Sequence, residues 1–179
     1  MKKIILTVFA ATSLLLYSTP SFAISLSVGV PIGATFTGPA PAGGTKTESD
    51  GISGYFLGVQ LPFGLGLGMD SHKTKIKDTT DMKAVTSMYN IYYQLPVPVV
   101  SLILGLGVGS SNYDAPYDEY YDKGAATQWY TSIGFPIIPL FDIHLSYRSI
   151  TSKNIKWKGD GSKEDVSGTI TGIGLAFNF

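Results

Sequence analysis

Apolar and polar residues alternate along most of this chain after residue 23. The clearest case is the last segment, Val166 to Phe179, where every second residue from Ile173 onward is large and apolar and the residues between are Gly, Ala or Asn. Side chains of a strand point to opposite faces in turn. A strand buried on both faces would instead be apolar throughout. The pattern therefore predicts a strand with one apolar wall and one wall of small residues.

Seven earlier segments show the same period of two, and none has a helical period over a useful length. The eight predicted strands span residues 24–37, 52–61, 65–72, 85–95, 101–109, 127–135, 141–148 and 166–179. Long polar loops (38–51, 73–81, 112–124 and 151–165) alternate with short turns that contain proline (61–64, 96–98 and 136–139). These features predict an all-β fold, an eight-stranded antiparallel up-and-down transmembrane β-barrel.

The first strand contains one expected irregularity, at Pro31, because proline cannot donate to the strand ladder. The alternation predicts that Ala34 and Phe36 lie on the same apolar face as Leu26, and that Thr35 lies on the opposite face.

The composition of the two faces indicates which one is outside. The small, polar wall suits the narrow interior of an eight-stranded barrel, and the strands carry almost none of the Lys and Glu that a soluble exterior needs. Aromatic residues also gather at the short turns, as at a membrane interface; they are Phe63, Tyr93, Phe135, Phe141, Phe177 and Phe179. We therefore expect the apolar wall to face lipid.

A soluble periplasmic lipocalin-like binding barrel is the inverted alternative. Its apolar wall would face inward and enclose a ligand cavity lined by Leu102, Leu104, Leu106 and Trp129.

The N-terminal segment predicts export. Lys2 and Lys3 precede an apolar run, and Ser21-Phe22-Ala23 offers the small residues that a signal peptidase requires. We therefore expect residues 1–23 to be a cleaved signal peptide and residues 24–179 to form the barrel domain. The sequence has no Cys, so disulfides, thiolate metal sites and a lipoprotein anchor are excluded.

With its signal peptide, eight alternating strands and terminal aromatic, the chain resembles the small outer-membrane barrels typified by OmpX and the OmpA membrane domain. The resemblance implies a monomer integral to the cell outer membrane, in contact with outer-membrane lipid and lipopolysaccharide. It also implies that the barrel-assembly machinery recognises the C-terminal strand, with Phe177 and Phe179 as the assembly signal.

Polar residues on the inner wall predict a hydrogen-bonded network that fills the lumen. These residues are Asp70, His72, Gln94, Gln128, Asp142, His144 and Arg148. Asp70 and His72 lie on the third predicted strand, opposite the seventh strand in an eight-stranded ring. Because buried charges need partners, we expect Arg148 to meet Asp70 or another inner acceptor. A proton or ion path through the lumen is the alternative.

The segment His144-Leu145-Ser146 resembles the His-x-Ser pair of PagL-type lipid A deacylases, but Tyr147 stands where that family has Asn. No carboxylate is placed by the sequence to orient the His. We therefore predict no catalytic residue, no cofactor and no metal site.

The third long loop interleaves aromatic and acidic residues: Tyr113, Asp114, Tyr117, Asp118, Glu119, Tyr120, Tyr121 and Asp122. Such a loop offers rigid contact area for an extracellular ligand, and its carboxylates offer oxygen ligands to a divalent cation. A simple solvated loop is the alternative. A set of lysines around the second and fourth loops either binds lipopolysaccharide phosphates or keeps the surface soluble.

The predicted function is non-enzymatic: envelope integrity, adhesion or another surface interaction through the long loops. A narrow channel for small solutes and a lipid A deacylase are the alternatives. The balance of 13 basic and 13 acidic residues gives no indication of nucleic-acid binding.

Overall fold

A computed structural model describes residues 24–37, 48–77, 79, 81–95, 97, 99–138 and 140–179. The predicted signal peptide, residues 1–23, lies outside the described residues, as does most of the first long loop, residues 38–47. No helix among the described residues combines the length and the hydropathy needed to cross a membrane.

Eight antiparallel strands close into one barrel, which confirms the predicted fold. They are β1 (Ser25–Phe36), β2 (Ser49–Gln60), β3 (Leu65–Ile76), β4 (Lys83–Leu95), β5 (Ser101–Tyr113), β7 (Gly124–Ile138), β8 (Phe141–Thr151) and β11 (Gly168–Asn178). Around the barrel the order is β1-β11-β8-β7-β5-β4-β3-β2. The seam pairs the first strand with the last, from Ser25 opposite Asn178 to Phe36 opposite Gly168. The end of the barrel that carries the short connections is called the short-turn end below, and the opposite end of the barrel is called the long-loop end.

The apolar wall is on the outside of the barrel. Leu104, Leu106 and Trp129 are 50%, 65% and 51% exposed, whereas Met88 and Tyr130, which point inward, are buried. The inverted arrangement of a soluble barrel is therefore excluded, because the residues that would line its cavity lie on the outer surface.

The first strand differs from its predicted alternation. A β-bulge between Pro31 and Gly33 shifts the register against β11. One extra residue in a strand reverses the faces of all residues after it. Phe36 is consequently buried in the lumen and Thr35 is exposed, so the prediction was wrong for Ala34, Thr35 and Phe36.

The long-loop end is more ordered than predicted. β3 continues to Ile76, which places Lys73 and Lys75 in a strand rather than in a loop. The third loop contains a single turn of 3-10 helix (Tyr117–Glu119) and β6 (Tyr121–Asp122), and the fourth contains β9 (Ile155–Trp157) and β10 (Lys163–Glu164). These three short strands form a separate sheet in the order β10-β9-β6. The two loops are therefore a folded unit and not independent solvated segments.

Candidate functional site

Large side chains fill the lumen. Met88 is completely buried, and Phe56, Tyr92, Tyr130 and Ile170 are each less than 10% exposed. Between them lie a cavity of about 60 Å³ and a second of about 20 Å³ near the long-loop end. Volumes of this size hold one or a few water molecules. The lumen has the packing of a protein core.

Arg148 lies at the centre of this packing. Its Nε is 3.6 Å from Asp70 Oδ2, and its guanidinium carbon lies 3.8 Å from the Phe56 ring centroid and 4.4 Å from that of Tyr130. Arg148 and Asp70 are 6% and 1% exposed. The structure thus places the two charges together, as expected for a cation in so narrow an interior.

Two amides complete the surroundings of Asp70. Gln128 Nε2 donates to Asp70 Oδ2 at 2.6 Å and is 2.5 Å from Asn90 Oδ1. Asn90 was not among the predicted lumen residues, although its position on the polar face of the fourth strand was a sufficient signal. His72 is buried nearby, and its Nδ1 has no hydrogen-bond partner among the described residues.

A second polar group lies toward the short-turn end. Gln94 Nε2 donates to Ser101 Oγ at 3.3 Å, and Ser101 donates to Asp142 Oδ2 at 3.0 Å. The same Asp142 oxygen is 4.0 Å from His144 Nε2, and His144 Nδ1 is 3.3 Å from Ser132 Oγ. The structure therefore divides the predicted lumen residues into two groups rather than one continuous network.

Both members of the predicted His-x-Ser pair, His144 and Ser146, line the cavity of about 60 Å³ inside the barrel. His144 faces the lumen beside Ser132, and the Ser132 hydroxyl donates to the Leu145 carbonyl at 3.2 Å. A cavity of this size holds one or a few water molecules.

Over the long-loop end the two ordered loops form a cap, defined here as residues 114–123 and 152–167. Ile155 and Val166 of the cap pack with Phe36, Ala84 and Tyr113 of the barrel rim in one buried apolar cluster. Ile155 is fully buried. Burial of apolar area is the main force that holds such a unit in place, so the cap is anchored on the barrel by its own small core.

Hydrogen bonds join the two halves of the cap. The hydroxyls of Tyr113 and Tyr121 both donate to the Glu164 carboxylate, the second at 3.0 Å. Burial, followed by the charge of Glu164, raises the pKa of Tyr121 to about 12, so this hydroxyl keeps its proton. Lys158 Nζ donates to the Glu119 carbonyl at 2.9 Å.

One ion pair joins the cap to the barrel wall. Lys73 Nζ of β3 is 2.8 Å from Asp114 Oδ2. The hydrogen bond from Lys73 holds the pKa of Asp114 below its usual range.

The residues predicted to bind through the third loop occupy different environments. Tyr113 is buried, and Tyr117, Tyr121 and Asp114 are partly buried. The exposed members are Asp118, Glu119, Tyr120 and Asp122. Across the part of the chain that the structure describes, no three His, Asp or Glu residues are grouped as a metal site.

No protein-family model matches the sequence, and no curated protein is significantly similar to it. Among solved structures, the chain is similar to Neisserial surface protein A, with a TM-score of 0.63 and 14% identity over 89% of this chain and 98% of that one. This chain has the fold of a small outer-membrane β-barrel. A second outer-membrane barrel, E. coli outer membrane protein W, has a TM-score of 0.51 and 12% identity, with coverage of 89% and 100%. The shared fold and the apolar outer wall together support an integral outer-membrane location.

Proposed function

We propose that this outer-membrane barrel displays the cap at the cell surface as a binding face, and that its role is surface interaction rather than transport or catalysis. The observation that carries the proposal is the cap itself. Two long loops share a sheet and a buried core, so their outer face is held in one shape. A pre-organised surface loses less conformational entropy on binding than mobile loops do.

The outer face of the cap has the composition of a contact surface. Tyr120 and Trp157 are 57% and 42% exposed, and large aromatic side chains dominate binding energy in protein interfaces. Lys156 lies between Lys163 on β10 and Asp122 on β6. Charges around an aromatic centre contribute to specificity and to the association rate.

The filled lumen supports this role over a channel or a hydrolase. Arg148 and the aromatic residues around it occupy the space through which a solute would pass. An eight-stranded barrel has room for its side chains and little more.

The experiment compares cells that produce the barrel with cells that lack it, in adhesion to epithelial monolayers and in autoaggregation. Tyr120→Ala/Trp157→Ala removes the two exposed aromatics of the cap. Tyr89→Ala is the matched control, because Tyr89 is 67% exposed but lies on the outer wall of the barrel.

We expect production of the barrel to raise adhesion or aggregation at least several-fold, and the double variant to lose most of that increase at an equal surface level. Tyr89→Ala should retain it. If production of the barrel changes neither property, or if the cap variant retains both in full, the proposed role is wrong.

A further inference from the structure

The charged residues of the cap are sorted between its two halves. All but one of the exposed lysines lie in the half that the fourth loop provides, residues 152–167; they are Lys153, Lys156, Lys158 and Lys163, and the exception is Lys123. The carboxylates of this half accept hydrogen bonds from other groups of the chain; they are Asp160, Glu164 and Asp165. Among the described residues, the charges that this half leaves without a contact are therefore positive.

The half that the third loop provides, residues 114–123, has the opposite character. Asp118, Glu119 and Asp122 are exposed. Within the described ranges, none of these three carboxylates forms an ion pair or accepts a hydrogen bond. Apart from Lys123, the charges available to a partner are thus negative in one half of the cap and positive in the other.

The strand pairing of the cap sheet places three of these charges in one row, which we call the charge row. Lys163 of β10 is directly opposite Lys156 of β9, and Lys156 is directly opposite Asp122 of β6. Ile155, the neighbour of Lys156 on β9, is fully buried against the barrel rim. Because side chains alternate along a strand, the charge row lies on the face of the sheet that is directed away from the barrel.

The charge row is unfavourable for the cap of a single copy. Like charges directly opposite each other on two strands are destabilising. Neither Lys156 nor Lys163 forms an ion pair within the part of the chain that the structure describes, and Asp122 does not reach Lys156. A partner that brings carboxylates to this face would offset the repulsion between the two lysines.

The charge row is also complementary to itself. A two-fold axis that runs parallel to β9 and β6, midway between them, places Lys156 of each copy over Asp122 of the other. Neighbouring strands are about 4.8 Å apart, so Lys163 then lies one strand spacing beyond β6 of the other copy, on the side of the third loop, whose Asp118 and Glu119 are exposed. With 13 basic and 13 acidic residues in the chain, net charge does not keep two copies apart.

We propose that the partner of the cap is a second copy of this chain in a facing membrane. The proposal rests on the proposed function of the cap as a binding face and names what that face binds. A contact of this size is weak by itself, but many copies on two facing membranes bind together, which multiplies the strength of attachment. Because salt screens exposed charges, the attachment should weaken as the ionic strength rises.

The test measures, by light scattering, the clustering of phosphatidylcholine vesicles that contain the full barrel. The basic reversal, Lys156→Glu/Lys163→Glu, makes the face of the charge row negative. The acidic reversal, Asp118→Lys/Asp122→Lys, makes the same face positive. The difference in gel mobility between unboiled and boiled samples shows whether each variant is folded.

A matched control separates the position of the charges from their number. Lys75→Glu/Lys77→Glu changes the net charge as much as the basic reversal does, but it alters the end of β3 and not the cap. If a double reversal does not fold, the single variants Lys156→Glu and Asp122→Lys replace it, because these two residues form the reciprocal contact.

We expect vesicles with the unaltered barrel to cluster, and each reversal to lower the clustering by about fivefold or more, because like charges then face each other. A mixture of vesicles with the basic reversal and vesicles with the acidic reversal should regain most of the clustering. The matched control should cluster like the unaltered barrel. Salt at about 1 M, where the Debye length is about 3 Å, should disperse the clusters.

Three results would overturn the proposal: no clustering by the unaltered barrel, full clustering by a folded reversal variant, or a mixture of the two reversals that stays dispersed. Adhesion of cells to epithelial monolayers is measured in parallel. Adhesion that depends on Tyr120 and Trp157 while the vesicles stay dispersed would refute the second copy as the partner and leave the proposed function intact.

Discussion

Arg148 shows how a single residue can determine the interior of this barrel. It meets Asp70 at 3.6 Å and lies against the rings of Phe56 and Tyr130. Two buried charges are costly unless they remain together. The ion pair therefore sets the positions of the aromatic side chains that close the lumen.

Removing one charge of the Arg148–Asp70 pair should lower the free energy of unfolding far more than removing both. We expect Arg148→Met to destabilise the barrel by about 3–5 kcal/mol, because Asp70 would be left as an uncompensated buried charge. The double variant Arg148→Met/Asp70→Leu should recover most of this loss. The measurement is the free energy of unfolding from urea titration in vesicles.

The exposed ion pair between Lys73 and Asp114 offers the control for this experiment. Lys73→Met breaks an exposed ion pair with Asp114, and we expect a loss of about 1 kcal/mol or less. If the losses of unfolding free energy from Arg148→Met and Asp70→Leu simply add in the double variant, neither charge stabilises the other and this account of the pair is wrong.

The β1 strand shows where sequence reasoning is limited at the scale of an element. For residues 26–30 and for the other barrel strands, alternation predicted correctly which side chains share a face. It could do so because side chains of a strand point to opposite faces in turn. It could not predict that the bulge after Pro31 inserts a residue and moves Phe36 into the lumen. Proline indicated where an irregularity lies but not whether the register shifts.

The cap could not be predicted for a different physical reason. β6 and β10 contain two residues each and β9 three, which is too short for a period to be visible. Their order depends on contacts between loops far apart in sequence, such as Tyr121 with Glu164. The polar composition of these loops therefore suggested solvated segments, although Ile155 and Val166 are buried.

The ion pair between Asp114 of the cap and Lys73 of β3 should weaken in acid. The pKa of Asp114 is lower in the folded protein than its ordinary value, mainly through the hydrogen bond from Lys73. The ionised carboxylate thus favours the attached cap above the ordinary carboxylate pKa of about 4. This contribution is lost as the pH falls through the lower folded value.

Hydrogen exchange of residues 114–123 measures this effect. We expect their protection to fall at acidic pH while that of the barrel strands is retained, because an exposed pair has only a local influence. Asp114→Asn should show reduced protection already at neutral pH and a smaller change with acid. The same pH response in Asp114→Asn and in the unaltered protein would contradict this role of the ion pair.

At the scale of the whole molecule, closure of the barrel has a direct experimental signature. Each barrel strand is hydrogen-bonded to two neighbours, so the ring is closed, although β1 and β2 pair only over Ser25–Gly29 and Phe56–Gln60. We expect the unboiled protein to migrate differently from the boiled protein on a denaturing gel. A sample unfolded in urea before loading serves as the control and should match the boiled one. Identical migration of all three samples would be incompatible with a closed barrel that resists detergent.

The seam between β1 and β11 also has a consequence for the kinetics of folding. The first strand finds one of its partners only when the last strand is present, so the ring cannot be completed before the whole barrel domain is available. Pairings between residues so distant in sequence form slowly, because much chain entropy is lost before they are made. Until then both edge strands and the apolar wall are open to aggregation. Pairing of β1 with β11 therefore ends the period in which these two edges can pair with another chain.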